Sequence, residues 1–285
     1  MNKLLCIVGP TATGKTKKAL ALLAKQPSIL VSADSRQLYR GMSVVTGKDH
    51  PKNIKIYGID IVNPDQPCSV SVWYDTVMPP IRQAWVEGKL PIIVGGTGLY
   101  VRALTHGIAT IAVPIDQPLR DELSVLSLTK LQDRLKSLDT FKFESMNHSD
   151  QNNPRRLIRA IEIYKDPFFV KPRTGRNLPQ TEIIGLKYSD LRVQREKITQ
   201  RVLARLEQGA ISETEKLLAK YPPSLQSMSA IGYRSIIQYL EGKLTKDQMI
   251  DSWVADELSY AKRQLTWFRP TKNIKWYDVD TIVKE

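Results

Sequence analysis

Short apolar runs alternate with helical spacing through the first third of the chain. Runs typical of buried strands occupy residues 4–8, 28–32, 54–62 and 90–94. Helical spacing lies between them and includes residues 70–87, where Pro79 and Pro80 are expected to kink or split the helix. This alternation predicts an α/β fold, with a parallel sheet and crossover helices on its faces.

The middle of the chain has a different pattern. Charged, asparagine-rich segments with helical spacing, clearest at residues 119–138 and 154–164, replace the strand-like runs. We therefore predict a mostly helical insertion domain over residues 114–180. The core domain would comprise residues 1–113 and 181–285.

The alternating pattern returns after the insertion. The predicted elements are a strand at 181–187, a long basic helix at 190–208, a helix at 211–220, further helices through 268 and a final strand at 274–279. Pro270 is expected to end the last helix.

The turn after the first predicted strand carries the strongest chemical signal. It reads G-x-x-x-x-G-K-[ST], and its residues are Gly9, Pro10, Thr11, Ala12, Thr13, Gly14, Lys15 and Thr16. Glycines let successive backbone N–H groups point inward, and the next helix adds its partial positive charge. The lysine can bridge phosphate oxygens, and the last hydroxyl suits magnesium. The pattern predicts a site for a pyrophosphate-containing molecule; the alternative is a glycine-rich turn with a chance lysine.

Two further segments follow predicted strands directly: Asp34 with Ser35, and residues 95–98. Ligands of open α/β sheets bind outside the carboxyl ends of the strands, so these segments and the phosphate loop should meet at one edge. P-loop NTPases usually have a strand that ends in aspartate, but residues 90–94 run into glycines. We therefore expect a diphosphate other than that of a motor or switch ATPase, with Asp34 as the nearest carboxylate.

Composition narrows the partner and the location. The net charge of +13 fits a polyanion such as nucleic acid, although solvated lysines are the alternative. No apolar run approaches the about 20 residues needed to cross a bilayer. Two cysteines give neither a disulfide framework nor a zinc set, and His50, His106 and His148 lie far apart. We expect a cytoplasmic protein without a membrane segment.

Six blocks along the chain carry a family resemblance: GPTATGKT, DSRQLYRGM, IIVGGTGLYVRAL, NNPRRLIRAIEIY, IGYRSIIQYLEG and AKRQLTWFRP. In this order they resemble the tRNA dimethylallyltransferase family, in its bacterial form without a zinc finger. The resemblance implies a P-loop NTPase-like core with a channel, Mg²⁺ as cofactor, and a helical insertion that closes on tRNA. The donor would be dimethylallyl diphosphate. The acceptor would be the N6 amine of the adenosine 3′ of the anticodon, in the anticodon stem-loop of tRNA, and the protein a monomer.

The resemblance also assigns roles to individual residues. The phosphate loop would hold the diphosphate, with Thr16 on magnesium. Lys15, Asp34 and Thr97 would be catalytic, and Asp34 would be the general base or hydrogen-bond acceptor for the adenine amine. The residues assigned to tRNA contacts are Asp34, Ser35, Arg36, Gln37, Thr97, Arg120, Arg155, Arg156, Leu157, Ile158, Arg159, Lys262, Arg263, Gln264, Thr266, Trp267 and Arg269.

Several of these residues have a purely structural alternative. Asp34 can cap the helix that follows its strand, and Thr97 can simply satisfy a turn between glycines. Arg159 can form an i, i+3 ion pair with Glu162.

The last long helix has the same ambiguity. Lys262, Thr266 and Arg269 share one face, and a solvated face is the ordinary use of such a row. Trp267 beside them favours nucleic acid.

The chain departs from the family pattern at several positions. GMSVVTGKD replaces a block close to GMDIGTAK, Tyr57-Gly58 stands where a histidine is usual, and NNP replaces NDP. Glu257-Leu258 occupies the usual Thr-Arg, and Lys197 replaces an arginine, whose bidentate phosphate contact a lysine cannot reproduce. These changes affect the expected tRNA contacts and leave the phosphate loop and Asp34 intact.

Three other functions stay open on the sequence. An adenylate dimethylallyltransferase would modify free AMP, ADP or ATP and would need no large basic surface. A small-molecule P-loop kinase would use Asp34 as the base for a hydroxyl. A non-enzymatic RNA-binding ATPase would keep its function after Asp34→Ala.

Overall fold

The computed structural model of the protein describes residues 2–48, 51, 53–166 and 178–280. The chain divides into a core unit, Met1–Gly107 with Asn177–Glu285, and an insertion unit, Ile108–Arg176. The predicted insertion of 114–180 begins later and ends later than this unit. His50 lies outside the described residues.

The core unit is built on a six-stranded parallel sheet, which confirms the predicted α/β class. Its strands are β1 (Lys3–Val8), β2 (Ser28–Ser32), β3 (Ile56–Tyr57), β4 (Leu90–Gly95), β5 (Gln180–Lys187) and β6 (Ile274–Asp278). Their order in the sheet is β3-β2-β4-β1-β5-β6. The central strand β1 is buried from Leu4 to Val8, as expected for a parallel strand covered on both faces.

Helices complete both units. Those of the core are α1 (Lys15–Leu23), α2 (Val70–Val86), α3 (Gly98–Thr105), α9 (Leu191–Glu207), α10 (Ala210–Leu218), α11 (Tyr233–Leu240) and α12 (Lys246–Phe268). Those of the insertion are α4 (Gln117–Ser124), α5 (Leu128–Leu138), α6 (Thr140–Ser145), α7 (His148–Gln151) and α8 (Pro154–Lys165). The insertion has its own apolar core around Leu123, Leu135, Leu157 and Ile161.

Three element predictions were wrong. The strand expected at 54–62 is reduced to β3, because Gly58 and Asp60 have positive φ angles of 83° and 52° and turn the chain. The prolines of α2 lie inside one continuous helix, which buries Trp73 and Val77. Residues 119–138 form two helices because Ser127 caps a new one, accepting from the N–H of Lys130.

Candidate functional site

The phosphate loop joins β1 to α1 through backbone conformations that favour glycine. Gly9 has a φ of 135° and Gly14 a φ of 77°, and Ala12 also has a positive φ of 64°. A Cβ on Gly9 would lie 2.0 Å from the carbonyl oxygen of Leu186 on the neighbouring strand. The first glycine of the motif is therefore required both by its dihedral angle and by close packing on β5.

Side chains around the loop fix its shape. Thr13 and Lys15 both donate to the carbonyl oxygen of Pro10, at 2.9 and 2.6 Å, and Tyr188 donates to that of Ala12 at 2.8 Å. The backbone N–H of Thr11 donates to Oε1 of the buried Gln264 at 2.9 Å. Much of the loop is thus held in place before any anion arrives.

The phosphate loop opens into a cavity of about 580 Å³. Asp34, Gly95 and Gly96 line the same cavity, so the three strand ends that the sequence placed at one edge do meet there. The cavity also receives cations from three elements outside the loop: Arg36, Arg201 and Arg263. A phosphate loop and a carboxylate therefore line the same cavity.

Asp34 is held in a turn at the end of β2. Its Oδ1 accepts from the backbone N–H of Arg36 at 2.9 Å. Asp34 therefore caps a turn, whereas the structural alternative expected it to cap a helix. The Thr97 hydroxyl accepts from the N–H of Ser35 at 3.0 Å, and the N–H of Thr97 donates to Ala33. Thr97 thereby connects the Asp34 turn to the loop after β4, and its assignment as a catalytic residue stays a prediction.

Lys15 lines the cavity, and its pKa is shifted. Its pKa is lowered to about 8, first by burial and then by the nearby guanidinium of Arg201, while Asp34 and Glu257 act in the opposite direction. Arg201 also donates to the hydroxyl of Thr11 at 2.8 Å, which places it beside the phosphate loop. Two cations that repel each other at this place would both be stabilised by a bound diphosphate.

The other residues of the Asp34 segment contact their neighbours. Arg36 lines the cavity and makes a long contact of 3.4 Å with the carbonyl of Gln226. Gln37 bridges Ser32 and Gly47, accepting at 2.8 Å and donating at 3.0 Å.

Helix α12 supplies both packing and exposed groups. Gly96 and Gly98 lie so close to it that a Cβ on either would fall 1.8 Å from the side chain of Gln264 or Trp267. Trp267 is nevertheless 43% exposed. The polar residues exposed along the same stretch are Lys262, Arg263, Thr266 and Arg269.

Tyr260, on the same helix, was not anticipated from the sequence. It lines the cavity and hydrogen-bonds to Thr97 and Gln264, and burial raises its pKa to about 12 with a contribution from Asp34. Tyr260 lies four residues before Gln264, so both side chains lie on one face of the helix. This spacing is the sequence signal that could have indicated Tyr260.

Arg201, Arg205 and Glu257 were also missed. Arg201 and Arg205 lie one turn apart on the basic helix α9, a spacing visible in the sequence, but nothing local shows that this face meets the phosphate loop. Glu257 was noted only as a departure from a pattern, and the structure pairs it with Arg205 at 3.1 Å.

The predicted arginines of the insertion unit are largely engaged with acids. Arg120 binds Glu162 through two nitrogens at 2.8 and 2.9 Å, and Arg159 binds the same carboxylate, as the ion-pair alternative expected. Arg156 pairs with Asp150.

The remaining predicted contact residues of α8 face in different directions. Leu157 is fully buried in the apolar core of the insertion, and Ile158 packs against that core. Arg155 is exposed and has no ion pair within the part of the chain that the structure describes.

A parallel sheet with a phosphate loop at its carboxyl edge defines a P-loop NTPase-like protein. Comparison with protein families narrows this class. The sequence model described as IPP transferase matches residues 37–271, and that described as isopentenyl transferase matches residues 2–58. The chain therefore belongs to the IPP transferase family.

Individual relatives agree with this assignment. A tRNA dimethylallyltransferase of an Exiguobacterium strain is 37% identical, over 96% of this chain and 89% of its own length. One from Halalkalibacterium halodurans is 36% identical, over 99% of this chain and 92% of its own length.

Solved structures show the same fold. The crystal structure of the full-length tRNA isopentenylpyrophosphate transferase from Bacillus halodurans superposes with a TM-score of 0.72 at 35% identity, covering 100% of this chain and 94% of that one. A eukaryotic dimethylallyltransferase, described as acting on tRNA, shares the fold with a TM-score of 0.82 at 22% identity, over 98% of this chain and 74% of its own. None of the helices that the structure describes is long and apolar enough to span a membrane.

Proposed function

We propose that this protein transfers a dimethylallyl group from dimethylallyl diphosphate to the N6 amine of the adenosine 3′ of the anticodon in tRNA, and releases diphosphate. The observation that carries this proposal is that the phosphate loop and Asp34 line one cavity. Membership of the IPP transferase family and the names of the relatives support the same reaction.

The donor half of the site suits an allylic diphosphate. Such a compound ionises readily, and negative charge then builds up on the departing phosphate oxygens. Lys15, Arg201 and the loop N–H groups line or border the cavity and would stabilise that charge. The bond to the leaving oxygen breaks as the carbon–nitrogen bond forms.

The acceptor half requires a base. The lone pair of an adenine amine is delocalised into the ring, so the amine is a poor nucleophile. Asp34 lines the same cavity as the phosphate loop and would accept the amine proton as the new bond forms. The target base is stacked in the anticodon loop and must be flipped out to reach this carboxylate.

The residues present also suit Mg²⁺. The side chains of Thr16 and Asp34 line one cavity, and oxygen is the donor type that Mg²⁺ prefers. Thr16 would hold the ion next to the diphosphate, where it would neutralise charge on the phosphate oxygens.

Exposed cations of the core unit supply tRNA contacts in this proposal. Lys262, Arg263 and Arg269 lie on the exposed part of α12, next to the half-exposed Trp267. A row of cations with an adjacent aromatic ring suits a phosphate backbone and an unstacked base. The cytoplasmic location and the monomeric state stay predictions.

The decisive experiment offers labelled dimethylallyl diphosphate to the full chain with unmodified tRNA, with and without Mg²⁺. We expect label on tRNA only when Mg²⁺ is present. A tRNA with guanosine in place of the target adenosine is the matched control, because it lacks the N6 amine. Label on free AMP but never on tRNA would replace the proposed acceptor by an adenine nucleotide. ATP turnover with a metabolite, without prenyl transfer, would indicate a kinase instead.

A further inference from the structure

Glu257 is an acid in a cavity that is otherwise suited to an anion. It lines the same cavity as Lys15 and is buried. Its carboxylate accepts from Nη1 of Arg205 at 3.1 Å, and the two side chains are only 9% and 4% exposed. Since removing an ion pair from water is costly, a pair at this place needs a reason other than stability alone.

Arg205 lines the cavity together with Arg201. Its Nη2 and that of Arg201 both approach Gly47, at 2.2 and 2.4 Å from the point that a Cβ on this glycine would occupy. The φ of Gly47 is 67°, a backbone conformation that favours glycine. The glycine therefore makes room for two guanidinium groups side by side.

Two neighbouring guanidinium groups repel each other, and here the two groups have different hydrogen-bond partners. Arg201 donates to the phosphate-loop residue Thr11, at 2.8 Å, whereas Arg205 donates to Glu257. Asp256, another acid of the cavity, is paired with Arg234 at 2.9 Å. Arg201 is thus directed to the phosphate loop while the charge of Arg205 is balanced by an acid.

We propose that Glu257 is a positioning residue that limits the affinity of the cavity for diphosphate. Its carboxylate binds the second guanidinium, that of Arg205, and offsets the positive charge of this arginine. Binding a substrate and a product more tightly does not speed the chemical step, and slow product release lowers kcat. Glu257 would thereby let the diphosphate leave after transfer. The inference rests on the proposed function, since it takes diphosphate to be the ligand of the phosphate loop.

A charge-balance cycle tests this role. The affinity of inorganic diphosphate, measured by calorimetry in the presence of Mg²⁺, is compared among the full-length chain, Glu257→Gln, Arg205→Met and the double variant. Glu257→Gln adds one positive charge to the cavity and should bind diphosphate about tenfold more tightly. Arg205→Met removes one and should bind about tenfold more weakly. The double variant restores the balance and should return to within about threefold of the parent.

Steady-state kinetics provide a second readout. In Glu257→Gln both kcat and KM for dimethylallyl diphosphate should fall together, because the anion is held more tightly before and after transfer. The conservative variant Glu257→Asp keeps the charge and should keep the affinity of the parent.

A merely structural ion pair gives a different pattern. Both single variants would then bind diphosphate more weakly, and equal or weaker binding by Glu257→Gln overturns the inference. Glu257→Gln removes the carboxylate partner of a buried arginine, and this variant could fail to fold for that reason. In that case Arg205→Met is compared with the double variant. The inference then requires the double variant to bind diphosphate about tenfold more tightly than Arg205→Met. If the parent protein itself does not bind diphosphate, the proposed function fails rather than this inference.

Discussion

In the core cavity, Lys15 and Arg201 lie close enough that the guanidinium lowers the pKa of the lysine. In the insertion unit, by contrast, Arg120 and Arg159 both bind one carboxylate, that of Glu162. The Glu162 side chain is 1% exposed. Burial alone would raise its pKa, but hydrogen bonds from the two arginines outweigh burial and lower it.

This contrast separates two uses of positive charge that look alike in a sequence. Cations that repel each other in a cavity lower the stability of the empty site and favour an anionic ligand. Cations that share a buried carboxylate are already satisfied, and they stabilise the unit that holds them. The net charge of +13 therefore does not show how many cationic side chains are available to bind tRNA.

The strongest test of the cavity side of this contrast is Asp34→Asn. The amide keeps the shape of the side chain but cannot accept the amine proton, so we expect dimethylallyl transfer to fall by about 10²–10⁴-fold. Binding of tRNA should stay near that of the parent. Initial rates with labelled donor and a filter-binding assay measure the two quantities.

Asp256→Asn is the matched control for Asp34→Asn. Asp256 also lines the cavity, but its carboxylate is paired with the exposed Arg234. Its loss should affect transfer much less. Equal losses for the two variants would show that Asp34 acts only through the charge of the cavity.

The next largest effect is expected for Lys15→Met. This change removes one donor aimed at the departing diphosphate, which should lower kcat/KM for dimethylallyl diphosphate by about 10²–10³-fold. Lys18→Met is the control, because Lys18 is exposed on the same helix and does not line the cavity. A similar loss for both would point to general electrostatics instead of a specific contact.

Local sequence determines the part of this site that could be predicted. The phosphate loop is a contiguous motif between a strand and a helix, and Asp34 follows a strand whose neighbours are set by the parallel sheet. Their meeting at one edge follows from fold rules alone.

The rest depends on contacts between distant segments. Helical spacing places Arg201 and Arg205 on one face of α9, but only the packing of α9 against α12 makes Glu257 their neighbour. Gln264 was expected at the tRNA surface, whereas it is buried and holds the phosphate loop through Thr11. A sequence pattern shows which residues share a face and does not show what that face meets.

On the insertion side, Glu162→Gln should lower stability. Two arginines, whose side chains are 33% and 29% exposed, would lose the buried carboxylate that they share, which should cost about 1–3 kcal/mol of unfolding free energy. Thermal or denaturant unfolding measures the change. Asp150→Asn, which removes the acid from the more exposed pair with Arg156, should cost less. An unchanged stability of Glu162→Gln would mean that this cluster is held together by its apolar core alone.

The pKa of Lys15 predicts how diphosphate binding depends on pH. This pKa is lowered to about 8, and only the protonated ammonium attracts the anion. Relative to Lys15→Met, a comparison that cancels the titration of diphosphate itself, the affinity of the parent for diphosphate should be constant below that pH and fall by up to about tenfold for each pH unit above it. Calorimetry from pH 6.5 to about 9.5 measures the curve. Lys15→Met should remove this fall, and a variant curve that matches the parent would assign the titration to another group.

The smallest effect sharpens the contrast within the insertion itself. Arg155 is exposed and, among the described residues, has no ion pair, whereas Arg120 is bound to Glu162. Arg155→Ala should weaken tRNA binding a few-fold, reduce the salt dependence of log K by about 0.7–0.9, and leave stability unchanged. Arg120→Ala should do the reverse, lowering the melting temperature with little change in the salt slope. If Arg120→Ala instead reduces the salt slope, an arginine that is paired in the free protein exchanges its carboxylate for a phosphate when tRNA binds.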